Sequence, residues 1–126
     1  DNVHKCQTTK SFGREAINFE QVLNYNPEII LVYEKEFYKK IYKDKKWQLI
    51  DAVKNKKVYF LPKGPFSWFD RPPSFMRLLG LKYIVSILHP DLYNMDVYEE
   101  SKKFYKLFLD LDLSDSQIDD ILGKNI

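Results

Sequence analysis

The 126-residue chain has little of what most protein chemistry is built from. Its one cysteine, Cys6, excludes an internal disulfide, and its two histidines, His4 and His89, form no zinc-type spacing with it. Four glycines (Gly13, Gly64, Gly80 and Gly123) are too scattered to make a phosphate-cradling loop. No Cys–His or Ser–His–Asp combination and no cluster of histidines with carboxylates stands out, so no residue is marked as catalytic and none as a metal ligand. No apolar run approaches the roughly 20 residues that a membrane-spanning helix needs. The opening from Asp1 to Ser11 is polar and carries no signal-peptide pattern; a segment cut away would leave the same appearance, so the compartment stays open.

Arginine is scarce as well. Arg14, Arg71 and Arg77 are set against 17 lysines, and the net charge is only +2. A nucleic-acid binder more often places arginine where bidentate contacts are needed, so this balance does not by itself imply a polyanionic partner and reads as a solvated lysine surface. Clusters such as Lys54, Lys56 and Lys57 read that way, as do Asp119 and Asp120 on the acidic side. What the chain does have is apolar residues, 44%, and aromatics, 16%, which suffice for a globular core and exclude a disordered chain.

The order of elements suggests one α/β domain over residues 1–126. Val3 to Thr9 reads as a short strand. Asn18 and Gln21 have the spacing of a capping box at the start of a short helix that Pro27 ends. Ile29 to Tyr33 is an unbroken apolar run, the pattern of a strand covered on both faces in a parallel sheet. A lysine-rich helix from about Glu34 to Tyr42 follows. A second short helix carries Trp47, Ile50 and Val53, with Asn55 as its left-handed cap. Val58 to Leu61 is the next strand, and strand–helices–strand is a crossover of right-handed type. Pro73 to Leu88, apolar nearly all round, reads as a helix buried on several sides, ended at His89-Pro90. Val97 to Leu109 is amphipathic with a stripe of Val97, Phe104, Phe108 and Leu111. Ser114 and Gln117 form a second capping box, opening a last helix that Gly123 closes.

The segment between the second strand and the long helix, PKGPFSWFDRPP from Pro62 to Pro73, cannot be regular structure. It follows a strand at its C-terminal end, the edge where ligands of open α/β sheets bind. Trp68 offers a stacking face and Arg71 a fixed guanidinium, which suits a planar or apolar ligand bearing negative charge. The alternative is that Trp68 packs over the buried helix and Arg71 pairs with Asp70 or a cap; for Phe69 packing is the simpler reading.

Three stretches, NFEQVLNYNPEIILVYE, WQLIDAVKNKKVYFLP and GPFSWFDRPPSFMRLLGLKYI, together resemble the C-terminal lobe of extracytoplasmic substrate-binding proteins. The family serves ABC importers of siderophore-bound iron, haem, cobalamin and similar metal chelates, and the likeness runs from about Gly13 to Leu122. It implies a three-layer α/β/α lobe with a short, mostly parallel sheet, a Rossmann-like half of a two-lobed protein. The N-terminal lobe would be the missing partner, with ligand held between the two. It implies no enzyme activity, no intrinsic cofactor, and a periplasmic or lipoprotein-anchored location. It also implies that Glu20, otherwise a first-turn acid favourable to its helix dipole, docks an arginine of the membrane permease. Trp68 and Arg71 would then face the cleft with Phe69 beside them, and Tyr33 and Glu34, just after the first strand, are weaker cleft candidates. The ligand implied is an iron(III) or other metal chelate; no histidine or tyrosine matches a coordinating position, so recognition of the chelate's outer shell, or of an oxyanion by Arg71, fits equally. Rivals from other classes are a Rossmann-like enzyme domain, which the scattered glycines do not support, and a protein–protein interaction domain.

Overall fold

The computed structural model describes residues 2–5 and 15–125. Cys6, Gly13, Arg14 and most of the strand expected at Val3–Thr9 lie outside the described residues, and residues 3–5 are not in a strand. The chain forms two compact units, Asp1–Tyr59 and Phe60–Ile126. It is mixed α/β with a short parallel sheet of two strands, in the fold class expected.

In the first unit α1 (Phe19–Tyr25) opens on the capping box, the Asn18 side chain accepting from Gln21 N–H at 2.8 Å and Gln21 returning to Asn18 N–H at 3.0 Å. Strand β1 (Ile30–Val32) pairs with β2 (Val58–Phe60), and the Ile30 N–H donates to the Lys57 carbonyl at 3.1 Å. Between them run α2 (Lys35–Ile41), a 3-10 turn (Trp47–Leu49) and α3 (Asp51–Lys54). Ile50 breaks the last two with an extended backbone, so the single short helix expected there is a turn and a helix. The left-handed residue after α3 is Lys56, with φ 56°, rather than Asn55, with φ −87°. Val32, Ile41, Ile50, Ala52, Val53 and Val58 form the core, and Trp47 is edge-on to Phe19 and Phe37 at 5.2 and 4.8 Å. Asp51 ties α3 to the end of α1: the Asn26 amide donates to its carboxylate at 2.7 Å, and that bond, with Lys54 at 3.1 Å, holds the carboxyl below its ordinary range.

The second unit is a braced loop followed by α4 (Arg77–Leu88), α5 (Val97–Leu109) and α6 (Asp115–Leu122). Its core is Trp68, Met76, Leu79, Tyr105, Ile118 and Leu122. Helix α6 has the expected Ser114–Gln117 box and a left-handed Gly123. Helix α4 starts four residues later than its apolar pattern suggests. The Ser74 hydroxyl donates to the Ser67 carbonyl and accepts from Met76 N–H, offering the backbone a turn in place of a helical ladder. Nor is α4 covered on several sides: Leu79 and Gly80 are buried, while Leu78 and Leu81 are 58% and 62% exposed. The stripe of α5 is rotated as well. Ser101 and Tyr105 are the buried positions, whereas Phe108 and Leu111 stand exposed. Phe66, Phe75, Phe104 and Phe108 instead form a connected aromatic surface with ring centroids 4.5–6.1 Å apart. Among the described residues no helix is long and apolar enough to cross a membrane.

Candidate functional site

The loop of residues 62–76 in the second unit is irregular but not loose, because its polar groups are satisfied from within. Ser67 is buried; its hydroxyl accepts from Asp70 N–H at 3.0 Å and, at 3.4 Å, from Phe69 N–H, a turn made by a side chain. The Trp68 N–H donates to the Pro62 carbonyl at 3.2 Å. Gly64–Pro65 and Arg71–Pro72 are cis. Two side chains then converge on one acceptor: the Trp68 indole N–H reaches the Gly64 carbonyl at 3.2 Å, and the Tyr105 hydroxyl of α5 donates to the same oxygen. Burial pushes the Tyr105 phenol up to about 12, since the charged form has lost its solvent, against a smaller downward pull from the Trp68 indole.

Trp68 is therefore not a stacking platform. Its ring is 1% exposed and lies edge-on to Tyr83 at 5.8 Å within the core of the unit, and a ring covered on both faces has none left for a ligand. That corrects the expectation for this residue: it anchors the loop. Phe69 is half-buried and packs on Tyr83 at 6.3 Å. Arg71 is exposed, with no carboxylate at ion-pair distance among the described residues; Arg77, not Arg71, reaches the Asp70 backbone, at 3.5 Å. The brace thus fixes the backbone beneath a free guanidinium. Sequence reasoning passed over Tyr105 and Gly64 as parts of this arrangement, because the contact spans 41 positions and no local pattern announces it.

The remaining candidates belong to the first unit. Glu20 is exposed in the first turn of α1, beside Phe19, whose ring meets Trp47. Tyr33 is half-buried directly after β1. A cleft of about 670 Å³ that the sequence did not suggest is lined by Tyr42, Gln48, Val53, Lys54 and Lys56. The signal for it was the lysine cluster, read as a solvated face. Among the described residues no group of histidine, cysteine and carboxylate side chains could hold a metal ion.

Comparison with known proteins bears on the whole arrangement. The profile of a periplasmic binding protein family matches residues 2–65, just over half of the chain. The molybdate-binding protein MolA of Haemophilus influenzae is 28% identical over 99 residues, 76% of this chain and 28% of that protein. The solved ABC transporter solute-binding protein of Sulfurospirillum deleyianum is 44% identical with a TM-score of 0.85, over 94% of this chain and 37% of that one. A periplasmic solute-binding protein of Veillonella parvula gives 29% and 0.74, over 87% and 35%. Helicobacter pylori CeuE, solved as a nickel–histidine complex, gives 28% and 0.54, over 84% and 33%. The chain thus spans about a third of the length of the proteins it matches, and these are solute-binding proteins rather than enzymes. Family profile and structural likeness agree with the resemblance read from the sequence: the chain belongs to the periplasmic binding protein family.

Proposed function

We propose that this chain is the C-terminal lobe of a solute-binding protein that delivers an anionic, metal-containing solute, such as an iron–siderophore or related chelate, to an ABC permease. Solute-binding proteins of this family act outside the cytoplasm and work with such permeases. The observation that carries the solute class is Arg71: an exposed guanidinium on a turn whose backbone is held by Ser67, Trp68 and Tyr105. With its backbone already held, such a cation has only its own side chain to order on meeting an anion, and its fork matches carboxylate, catecholate or oxyanion edges. Phe69 is a secondary apolar contact on the same turn; Tyr33, in the first unit, is a separate candidate for contact with solute. The solute lies between this lobe and the N-terminal part of the protein. An oxyanion form of the same reading is favoured by one observation, the 28% identity to a molybdate-binding protein.

Titrating the full-length protein with a ferric catecholate chelate and, separately, with molybdate identifies the form by fluorescence quenching. For whichever binds, Arg71→Ala is expected to weaken affinity about tenfold or more, the loss of a charge-assisted contact. Unchanged affinity removes Arg71 from the site. Docking is tested apart from binding. Glu20→Ala is expected to leave solute affinity within about twofold, since an exposed first-turn acid contributes only tenths of a kcal/mol to its helix, while lowering uptake into cells. Normal uptake by that variant ends the proposed role of Glu20.

A further inference from the structure

Charge on this chain is distributed unevenly in a way its net value conceals. Residues 34–57 hold nine lysines, no arginine and four acids, a surplus of five, whereas the rest of the chain has eleven bases against fourteen acids. Glu36, Asp51 and Asp44 are engaged inside the stretch, and Glu34 also has a partner. Glu36 pairs with Lys39 at 3.4 Å, Asp51 with Lys54 at 3.1 Å, and Asp44 accepts from the backbone N–H of Lys46 at 2.9 Å. Asp44 thereby holds the turn that presents Lys45 and Lys46 at the surface, directly before the 3-10 turn Trp47–Leu49.

That turn is asymmetric. Trp47 points into the unit against Phe19 and Phe37, and Leu49 points out, 56% exposed. Gln48 between them lines the cleft of about 670 Å³ together with Tyr42, Val53, Lys54 and Lys56. The Gln48 amide is held by the Tyr42 carbonyl at 2.9 Å, so this wall is fixed. The first unit therefore presents exposed Lys45 and Lys46 and a projecting Leu49 at this turn, and Gln48 of the same turn joins it to the concavity that Tyr42, Lys54 and Lys56 line.

We infer that this face is a docking surface for a bilayer carrying anionic phospholipid headgroups. Lysine alone is the composition for a diffuse anionic plane: point charges on long flexible stems follow headgroups that shift, whereas planar bidentate recognition calls for arginine. The exposed leucine supplies the apolar foot that an interfacial contact uses and a soluble anion does not, and lysine is depleted at protein–protein interfaces. The cleft that Lys54 and Lys56 line has the volume for a headgroup phosphate, with the Lys54 ammonium shared between it and Asp51. Each lysine near such a surface contributes about a fivefold gain in partitioning, so four of them suffice for reversible attachment without any membrane-crossing segment. The inference goes beyond solute transport and needs neither solute nor permease.

The test is co-sedimentation of the full-length protein with vesicles of phosphatidylcholine alone or mixed with phosphatidylglycerol, at low and high salt. Binding to the mixed vesicles only, lost at high salt, is expected. Lys45→Ala with Lys46→Ala, and separately Lys54→Ala with Lys56→Ala, should each lower partitioning about tenfold or more. Leu49→Asn, a change at an exposed position that keeps the charge, should lower it several-fold; an electrostatic film without insertion would not respond. Solute affinity measured on the same variants should be unchanged, so failure here and failure of the transport reading are told apart. Equal binding to both vesicles, no binding at low salt, or indifference to the lysine pairs overturns the inference. So does displacement by inorganic phosphate at millimolar concentration, which marks a small-anion site. Retention by an immobilised acidic polypeptide without any vesicle binding overturns it in favour of an acidic protein partner.

Discussion

Replacing Gly80 by alanine is expected to dismantle the braced loop of the second unit. A Cβ at this position would stand 2.0 Å from the Trp68 carbonyl oxygen, 2.8 Å from its carbonyl carbon and 3.1 Å from its Cβ. The first obstacle is backbone rather than a side-chain end that can rotate away, so α4 and the loop must separate. Overpacking of this kind costs about 3 kcal/mol or more, although alanine by itself favours helix over glycine by about 1 kcal/mol. Thermal denaturation of the full-length protein should show the transition assigned to this unit lowered by about 10 °C. The variant should also lose solute affinity through displacement of Arg71 without any change at Arg71 itself. A melting point equal to that of the parent would show that the close approach of α4 to Trp68 is not maintained in solution.

The second large effect is expected at the Gly64 brace. Trp68→Ala removes the largest side chain of the second core and its hydrogen bond, with a cost of about 3–5 kcal/mol. Tyr105→Phe is the finer probe, since it keeps the ring and deletes only the donor. Its loss is about 1 kcal/mol at neutral pH, and its pH dependence carries the diagnosis. The phenol is pushed from its ordinary value of 10.0 up to about 12 by burial, so the folded state binds the proton more tightly than the unfolded chain does. The stability this contributes is full below pH 10 and disappears as pH rises toward 12. Denaturation measured across that window should show the parent protein losing stability more steeply than Tyr105→Phe. Parallel pH profiles would show that the phenol is not buried at the loop.

Much of the first unit and the far end of the second were legible in the sequence, because their signals are local. Two capping boxes, an unbroken apolar strand and a C-terminal glycine each occupy a few adjacent residues and landed where expected. The failures share a cause. Asn55 and Lys56 differ by one position in a tight turn, and tertiary packing decides which one takes the left-handed backbone. The start of α4 turned on Ser74 bonding to Ser67, seven residues away. The phase of α5 turned on Tyr105 reaching Gly64. Trp68 stands out in the sequence as a large residue in an odd loop, but composition does not tell an aromatic that faces outward from one that anchors. Arg71 was legible as a charge, and its local pairing with Asp70, open in the sequence, is absent among the described residues.

A peptide oxygen has two lone pairs, and at Gly64 an indole and a phenol claim both of them. That oxygen is chemically spent: an arriving cation, water or solute hydroxyl finds no vacancy there. At Gly64 the turn is thus an inert socket, and discrimination falls to the groups around it, the outward side chains first among them. Exchanging those fittings for others could retune selectivity while the socket itself stays untouched.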